Sequence, residues 1–365
     1  MNILHINTEC GWRGGEVQMM YLMDGLRRKN HNNIVSAQPN SLLVRKVINN
    51  NFRVCPVVMR GELDFNAIRS ICRVITDERI DIVHAHTSHA HTIGAVAAKI
   101  KKIPFVVTRR VDFGVARNVF SNIKYNYLAG KIIAISNAIK NILMDAGVPK
   151  DKIDVIHSGI DTKKFGNISD TQYLYKEFNL SEYSPIIGTI AHLADHKGYK
   201  YLLKAVPEVL KTFPNAVFLI IGKGELEETL KKQVKELDIT ENVIFTGFRK
   251  DIGELLSIME LFVLPSHLEG LCTSLMDAML MKLPVVATTA GGIPEVVVDK
   301  KTGVLVQPKS SKALADAIIQ LLSNKEEAKE MGERGLKRVK TMFKVSRMVE
   351  GTEKVCMRLY EHITK

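Results

Sequence analysis

Cysteine is scarce in this chain: five occur in 365 residues. They stand at positions 10, 55, 72, 272 and 356, an odd number with no C-x-x-C pair. That excludes a disulfide framework and points to free thiols in a reducing cytoplasm. No run approaches the ~18 consecutive apolar residues of a membrane span. The opening MNILHIN passes straight into a strand, without the basic n-region or cleavage site of a signal peptide. No two aspartates stand as Asp-x-Asp, and there is neither an internal repeat nor a low-complexity segment. Basic residues are not interleaved with aromatics, which argues against nucleic acid as a partner.

What is present describes a soluble globular protein, 46% hydrophobic and 25% charged. A length of 365 residues exceeds the size at which single cores stop growing, so two domains are expected. The net charge of +12 is uneven. Residues 1–180 carry 25 Lys and Arg against 15 Asp and Glu, whereas 181–365 carry 26 against 24. A basic N-terminal half suits an anionic partner such as a lipid headgroup surface or a phosphorylated acceptor. Solubility alone is the plainer alternative.

Strand-like runs are expected at residues 2–7, 33–37, 54–58, 82–85, 104–108, 131–135 and 153–156. Helical patterns separate them, starting near Glu16 and continuing near 41–50, 64–79, 90–101, 119–128 and 137–145. This alternation predicts a parallel, doubly wound sheet covered on both faces. The polar stretch SGIDTKKFGNISDTQYLYKEFNLSEYSP breaks it and reads as an inter-domain connection. A second alternation has strands near 186–190, 216–221, 242–246, 261–264 and 285–287, and from Lys309 the chain is helical almost to its end.

The stretch from Pro265 to Val298, PSHLEGLCTSLMDAMLMKLPVVATTAGGIPEVVV, organises the second half. A buried strand stops at Pro265, and a polar loop carries Glu269 and Gly270. A helix then starts near Thr273, with Thr273 or Ser274 able to cap it. Backbone N–H groups and the helix dipole at such a start form an anion site. Asp277 sits one turn in. A second strand follows Pro284, and Gly291-Gly292 opens the next loop. This order brings Glu269, the helix start and Gly291 to one sheet edge, where ligands bind in open parallel sheets. An ordinary βα crossover with a solvated acidic loop is the alternative.

Other segments could bear chemistry. IGTIAHLADHKG (187–198) presents His192 and Lys197 after a strand. IIGKGELEE (220–228) places Gly222 and Gly224 as a dinucleotide fingerprint would, but Glu227 occupies the third glycine position. A tight turn lining a nucleotide pocket fits better. FTGFRKDI (245–252) supplies Arg249, and GWRGG (11–15) puts Gly14 and Gly15 before a helix, where backbone can approach a phosphate. HAHTSHAH (84–91) aims His84 and His86 to one face at a strand's end. With no Cys or carboxylate close by, sugar hydroxyls or strand-end packing suit them better than a metal, and no metal site is assigned. VVTRRVDFGVARN (106–118) adds Arg109, Arg110 and Asp112, a loop suited to an anionic acceptor or to an internal salt bridge.

The stretch around Glu269 resembles the E-x7-E signature of retaining GT-B glycosyltransferases of the large family-4 (group 1) class. Asp277 stands where that family usually has a second Glu, and Leu271-Cys272 where Phe-Gly is common. Residues 187–198 resemble the family's G-R-L-x-x-x-K-G element, with His192 at the Arg position and Lys197 at the Lys. GWRGGE resembles its G-G-x-E element. At Arg109-Arg110 relatives often place a His that touches the donor sugar.

The resemblance implies two Rossmann-like domains facing a cleft. Residues 1–163 would bind the acceptor, with helix 343–365 crossing back onto them, and 164–342 the nucleotide-sugar donor. Glu269 and Lys197 would be catalytic. Asp277 would bind ribose, Gly270 and Leu271 the sugar, and Thr273, Ser274 and His192 the diphosphate. Gly222 and Arg249 would line the nucleotide, while Gly14, Gly15, His86, Arg109 and Arg110 face the acceptor. The expected reaction is metal-independent glycosyl transfer with retention, without a cofactor beyond the nucleotide sugar, onto a glycan or glycolipid of the cell envelope such as lipopolysaccharide. It would take place in the cytoplasm, with the enzyme peripheral on an anionic inner membrane face. An epimerase or phosphorylase on the same fold, or a non-catalytic glycan- or polyanion-binding protein, are the competing readings.

Overall fold

The structure, a computed structural model, describes residues 1–116, 118–166, 168 and 170–364. Positions 117, 167, 169 and 365, which fall in the expected Arg-rich loop, connection and last helix, lie outside the described residues. The chain forms two compact units: Met1–Gly159 together with the last helix, and Ile160–Lys344.

Unit 1 is built on seven parallel strands, β1 (Asn2–Asn7), β2 (Asn32–Ala37), β3 (Arg53–Val54), β4 (Ile82–Ala85), β5 (Phe105–Arg109), β6 (Lys131–Ala134) and β7 (Ile153–Val155). Their order is β3-β2-β1-β4-β5-β6-β7. The central strands are buried along nearly their whole length, as expected for a sheet with helices on both faces. Between them run α1 (Gly14–Arg27), α2 (Leu42–Asn49), α3 (Phe65–Asp77), α4 (Ser88–Lys101), α5 (Val119–Asn122) and α6 (Asn137–Asp145). Ser41, Asp64 and Ser136 cap α2, α3 and α6 by accepting from the amides of Val44, Ala67 and Ile139. A π-helical turn, Ile123–Leu128, continues α5.

Three details differ from the expectation. The third strand ends at Val54, because Pro56 has no N–H for the ladder. The amides of Cys55 and Val57 still donate to Val35 and Ala37. α1 begins at Gly14 rather than near Glu16, since the Glu16 carboxylate reaches back to the Arg13 amide (2.9 Å) and closes the first turn. The 119–128 helix is α only in its first four residues.

Unit 2 has six parallel strands, β8 (Ile186–Ile190), β9 (Val217–Ile221), β10 (Val243–Gly247), β11 (Leu261–Leu264), β12 (Val285–Thr288) and β13 (Val304–Val306), ordered β10-β9-β8-β11-β12-β13. Its helices are α7 (Gln172–Glu177), α8 (Tyr199–Thr212), α9 (Glu227–Glu236), α10 (Ile252–Ser257), α11 (Thr273–Leu280), α12 (Ile293–Val296), α13 (Ser311–Ser323) and α14 (Lys325–Met342). β13 is absent from the sequence reading, because three residues are too short a run to show a period. The polar connection is no bare linker. It opens with the Ile160 amide donating to Phe343 O (2.7 Å), folds α7, and belongs to unit 2.

Helix α15 (Val345–Thr364) belongs to unit 1. Met348, Val349, Val355 and Cys356 pack on Ile3, Ile82, Val106 and Ile133 of the sheet, beside Leu22 and Leu26 of α1. A Cβ at Gly25 would lie 2.3 Å from the Val349 side chain, so only glycine lets α1 and α15 approach this closely. Among the described residues no helix is long and apolar enough to cross a membrane.

Candidate active site

Strand order reverses between β8 and β11 in unit 2, and between β1 and β4 in unit 1. At such a switch point neighbouring connections leave on opposite faces and open a crevice at the strands' C-terminal ends. The sequence candidates fall on the loops at these two edges.

In unit 2, backbone contacts lock the loops together. Gly198 adopts φ +72°, and a Cβ there would sit 2.0 Å from Pro265 O. The His267 amide donates to His196 O at 2.8 Å. Gly291 has φ +50°, with the Glu269 carbonyl 1.8 Å from where its Cβ would be, and the Gly292 amide donates to that carbonyl (2.9 Å). Both glycines are required by close approach and by a left-handed backbone. Gly222 joins the same edge, its amide donating to Gly247 O (2.9 Å).

On this scaffold Lys197 Nζ donates to Glu269 Oε2 at 2.5 Å, with side chains only 16% and 10% exposed. Ser266 Oγ lies 3.4 Å from the same oxygen. Gly270 and Leu271 follow, buried, and α11 begins at Thr273. Neither Thr273 nor Ser274 caps the helix. Cys272 is the N-cap residue, with no side-chain cap bond among the described residues, and its Sγ lies 3.1 Å from Ser274 Oγ. The Thr273 and Ser274 amides therefore have neither an intrahelical acceptor nor a capping side chain among the described residues, which favours an external anion, while the Leu275 amide faces the Cys272 sulfur. Burial pushes the Cys272 thiol up to about 11, and the nearby Glu269 charge adds to it, so the thiol is protonated at neutral pH.

Asp277 lies one turn into α11 and is buried. Its Oδ2 accepts from Lys164 Nζ at 2.8 Å, while its Oδ1 is shut from solvent without a partner among the described residues. Desolvation raises its carboxyl above the usual range, and Lys164 opposes that shift. One acceptor oxygen thus faces inward with nothing to accept from. Lys164 is the residue that sequence reasoning missed. It lies in the polar connection, 113 residues from its partner, in no motif.

Two candidates are less open than expected. His192 Nε2 lies 2.9 Å from Glu225 Oε2, and both side chains are exposed. Arg249 forks onto Glu177 (2.5 and 3.0 Å) and Asp251 (2.9 and 2.6 Å). Asp251, which also accepts from Tyr173 O–H, is held at about 2 chiefly by the Arg249 hydrogen bonds. The guanidinium joins the connection to the start of α10, so its donors are already engaged.

In unit 1, Gly14 and Gly15 open α1, and Arg110 Cδ lies 3.6 Å from where a Cβ on Gly15 would be. Arg109 turns the other way, donating to Tyr125 Oη (2.7 Å) and Phe113 O. The histidine run divides. His84 and His86 point the same way, rings 4.1 Å apart, and meet His5 of β1, which has no motif of its own. His91 is buried separately against Phe105 and Tyr125, and His89 is exposed. Desolvation is the largest cause lowering the pKa of His5, to about 4, of His91, to about 3, and of His84 and His86.

Residues 12–164 match the family described as Glycosyltransferase Family 4, and residues 172–338 match Glycosyl transferases group 1. The N-acetyl-alpha-D-glucosaminyl L-malate synthase of Bacillus anthracis is 28% identical over 80% of this chain and 78% of its own. The UDP-Gal:alpha-D-GlcNAc-diphosphoundecaprenol alpha-1,3-galactosyltransferase of Escherichia coli is 26% identical over 72% and 71%. HepE of Anabaena, solved with UDP, superposes with a TM-score of 0.87 at 21% identity over 98% of this chain and 100% of its own. That likeness concerns the fold, and two Rossmann-like parallel-sheet units in one chain are the GT-B fold. With one family matched in each half and the loops of E-x7-E type assembled at one sheet edge, the chain belongs to the group 1 glycosyltransferases.

Proposed function

We propose that this glycosyltransferase moves a sugar from a nucleoside diphosphate sugar, with retention at the anomeric carbon, to a glycan or glycolipid that carries an anionic group. The observation that carries the reading is the buried Lys197–Glu269 pair beside the start of α11, one turn from the buried Asp277 oxygen that lacks a partner among the described residues. Lys197 and the first-turn amides of Thr273 and Ser274 neutralise the departing diphosphate, with His192 and Gly222 beside it. Asp277 Oδ1 accepts from a ribose hydroxyl. Glu269 and the amides of Gly270 and Leu271 hold the transferred sugar. Arg249 acts through position, fixing the loop after β10. In unit 1, Gly14, Gly15 and Arg110 serve the acceptor, with His86 behind Arg110, while Arg109 is turned to Tyr125 and Phe113. The names of the relatives support this reading, since L-malate and a diphosphoundecaprenol-linked sugar are anionic.

A thermal-shift comparison of UDP, GDP, ADP and CMP tests the donor site, because a bound nucleotide stabilises by mass action. One nucleoside diphosphate is expected to raise Tm. Asp277→Ala is expected to weaken that nucleotide at least tenfold, because a charge-assisted hydrogen bond is worth ~1.5–3 kcal/mol. Wild-type affinity in a folded Asp277→Ala protein removes Asp277 from the site. Retention is checked by the anomeric configuration of the product.

Turnover is expected to survive EDTA, since Lys197 and the α11 dipole neutralise the leaving group where a divalent cation otherwise does. Complete loss on chelation, restored by Mg²⁺ or Mn²⁺, overturns that part of the reading.

The protein is also proposed to work at the inner membrane face. The segment after β5 exposes Val111, Phe113, Val119, Phe120, Ile123 and Tyr127, with Phe120 75% exposed. Phe65, 80% exposed, and Leu63 lie beside it, because Glu62 is held by Lys124 (2.8 Å). An apolar patch of this extent on a unit rich in Lys and Arg suits an anionic bilayer. Sedimentation with anionic liposomes at low salt is expected for the wild type, and at least tenfold weaker for the Phe65→Asp, Phe120→Asp double variant, since each buried Phe is worth roughly 1.5–3 kcal/mol. Indifference of the wild type to anionic liposomes leaves a soluble acceptor.

A further inference from the structure

The three histidines of unit 1 invite a metal, since one ring nitrogen from each of His5, His84 and His86 lies within 4.8 Å of the others. Their hydrogen bonds say otherwise. Asn33 Nδ2 donates to Met23 O (3.3 Å) and His31 O (3.1 Å), so its Oδ1 must accept. His5 Nε2, 2.9 Å from that oxygen, therefore carries a hydrogen. A neutral His5 then has its lone pair on Nδ1 and accepts from His86 Nε2 at 3.0 Å. A neutral His86 is left with its lone pair on Nδ1, facing Arg110 Nη1 at 3.5 Å, and arginine can only donate. Every hydrogen in the chain Arg110–His86–His5–Asn33 follows from its two ends, and the ends agree. A metal would need the His5 Nδ1 and His86 Nε2 lone pairs together. That would put an N–H of His86 against a guanidinium, with the cation beside a fixed positive charge.

What the chain does instead is hold Arg110. The Arg110 Nε is shut from solvent without a partner among the described residues. The Glu16 charge favours its cationic form, but that carboxylate already accepts from the Arg13 amide (2.9 Å) and Asn7 Nδ2 (3.0 Å). Desolvation draws the guanidinium down to about 10, with the Glu16 charge opposing the shift. Across from it stands Gly15, at the start of the fourteen-residue helix α1, whose dipole also favours negative charge.

We propose that Arg110, oriented by the neutral relay His86–His5–Asn33 beside Gly15, is a binding site for an oxyanion, the carboxylate or phosphate of the acceptor. His86, His5 and Asn33 are positioning residues. The proposal rests on the acceptor role given to unit 1 above, but its test requires no turnover. His84 is outside the relay, its Nε2 bonded to Thr108 (2.7 Å).

Trp12, the chain's single tryptophan, lies two residues ahead of α1 with Lys46 Nζ 4.5 Å over its ring, and its emission reports on unit 1. The full-length protein is titrated with inorganic phosphate and, separately, with succinate, at constant ionic strength set by chloride, while Trp12 emission is followed. Saturable change with phosphate assigns a phosphate-bearing acceptor and with succinate a carboxylate one, and either supports the site. Arg110→Gln is expected to weaken that anion at least tenfold, and Arg110→Lys, which keeps the charge but loses the fork, by an intermediate factor. His86→Leu is expected to weaken it, with His86→Gln, which keeps an acceptor for Arg110, recovering part of the loss. Lys197→Met is expected to leave the titration unchanged, separating this site from the donor diphosphate site. No saturable response to either anion in the wild type overturns the proposal, as does Arg110→Gln binding like the wild type. A loss with Arg110→Gln is read only if its circular dichroism matches the wild type, and Arg110→Lys decides if it does not. Failure of nucleotide binding in the thermal-shift series would instead count against the glycosyl-transfer mechanism and leave this result standing.

Discussion

Lys197→Met is expected to lower kcat by about a hundred- to a thousandfold, the range found when one preorganised electrostatic donor is removed from a reacting centre. The methionine keeps the length and apolar stem of the side chain and removes only the charge. Two things are lost together. The diphosphate leaving group no longer meets a cation held in place before reaction, and Glu269 remains buried with Ser266 Oγ at 3.4 Å as a weak substitute partner. Breaking a buried pair costs several kcal/mol because one charge is left uncompensated. The Lys197 and Glu269 side chains are 16% and 10% exposed, so water reduces this and Tm should fall by only a few degrees. Glu269→Gln separates the terms, since the neutral amide still accepts from Lys197. Turnover is compared at saturating donor, well below both melting temperatures. A folded Lys197→Met protein within threefold of wild-type kcat would reduce the pair to a scaffold contact.

Acidification from pH 6.5 to 4 is expected to unfold unit 1 before unit 2. His5 titrates at about 4 and His91 at about 3 in the folded chain, against 6.5 unfolded. Between those values the unfolded chain binds protons that the folded chain refuses, so stability falls as pH falls. At pH 5 each of these two histidines costs about 2 kcal/mol, at 1.36 kcal/mol per pH unit below 6.5. Burial lowers His84 and His86 as well, so they act in the same direction. In unit 2, Asp251 is depressed to about 2, and its contribution is lost only as pH falls below the ordinary carboxylate range. Trp12 emission follows unit 1, and far-ultraviolet circular dichroism follows both units. A Trp12 signal flat to pH 4 would show that protonation of these imidazoles does not limit the acid stability of unit 1.

These outcomes depend on two kinds of information in the chain. The strands, the alternation with helices and the loops that carry Glu269, Lys197 and Gly14-Gly15 were legible because they are local. A buried run, a proline that ends it and a glycine that turns it act within a few residues. Local reading failed where the local signal was weak or ambiguous. Three residues of β13 are too few for a period, Pro56 cut β3 short, and the cap of α11 fell to Cys272 despite two better capping residues beside it. Lys197 and Glu269 could each be singled out, but not that they would touch, 72 residues apart. Lys164 and His5 could not be singled out at all. Lys164 is one lysine in a polar connection, and His5 one polar residue inside an apolar strand. The first becomes a partner because the connection folds onto unit 2 and reaches Asp277 at 2.8 Å. The second becomes a relay because the parallel register sets His5 opposite His84, and places Asn33 and His86 at its two ring nitrogens. The sequence alone determined which stretches fold and which loops carry reactive side chains. Strand order, register and the packing of the connection on unit 2 decided which of those side chains meet, since tertiary contacts join residues that are distant along the chain and share no local pattern.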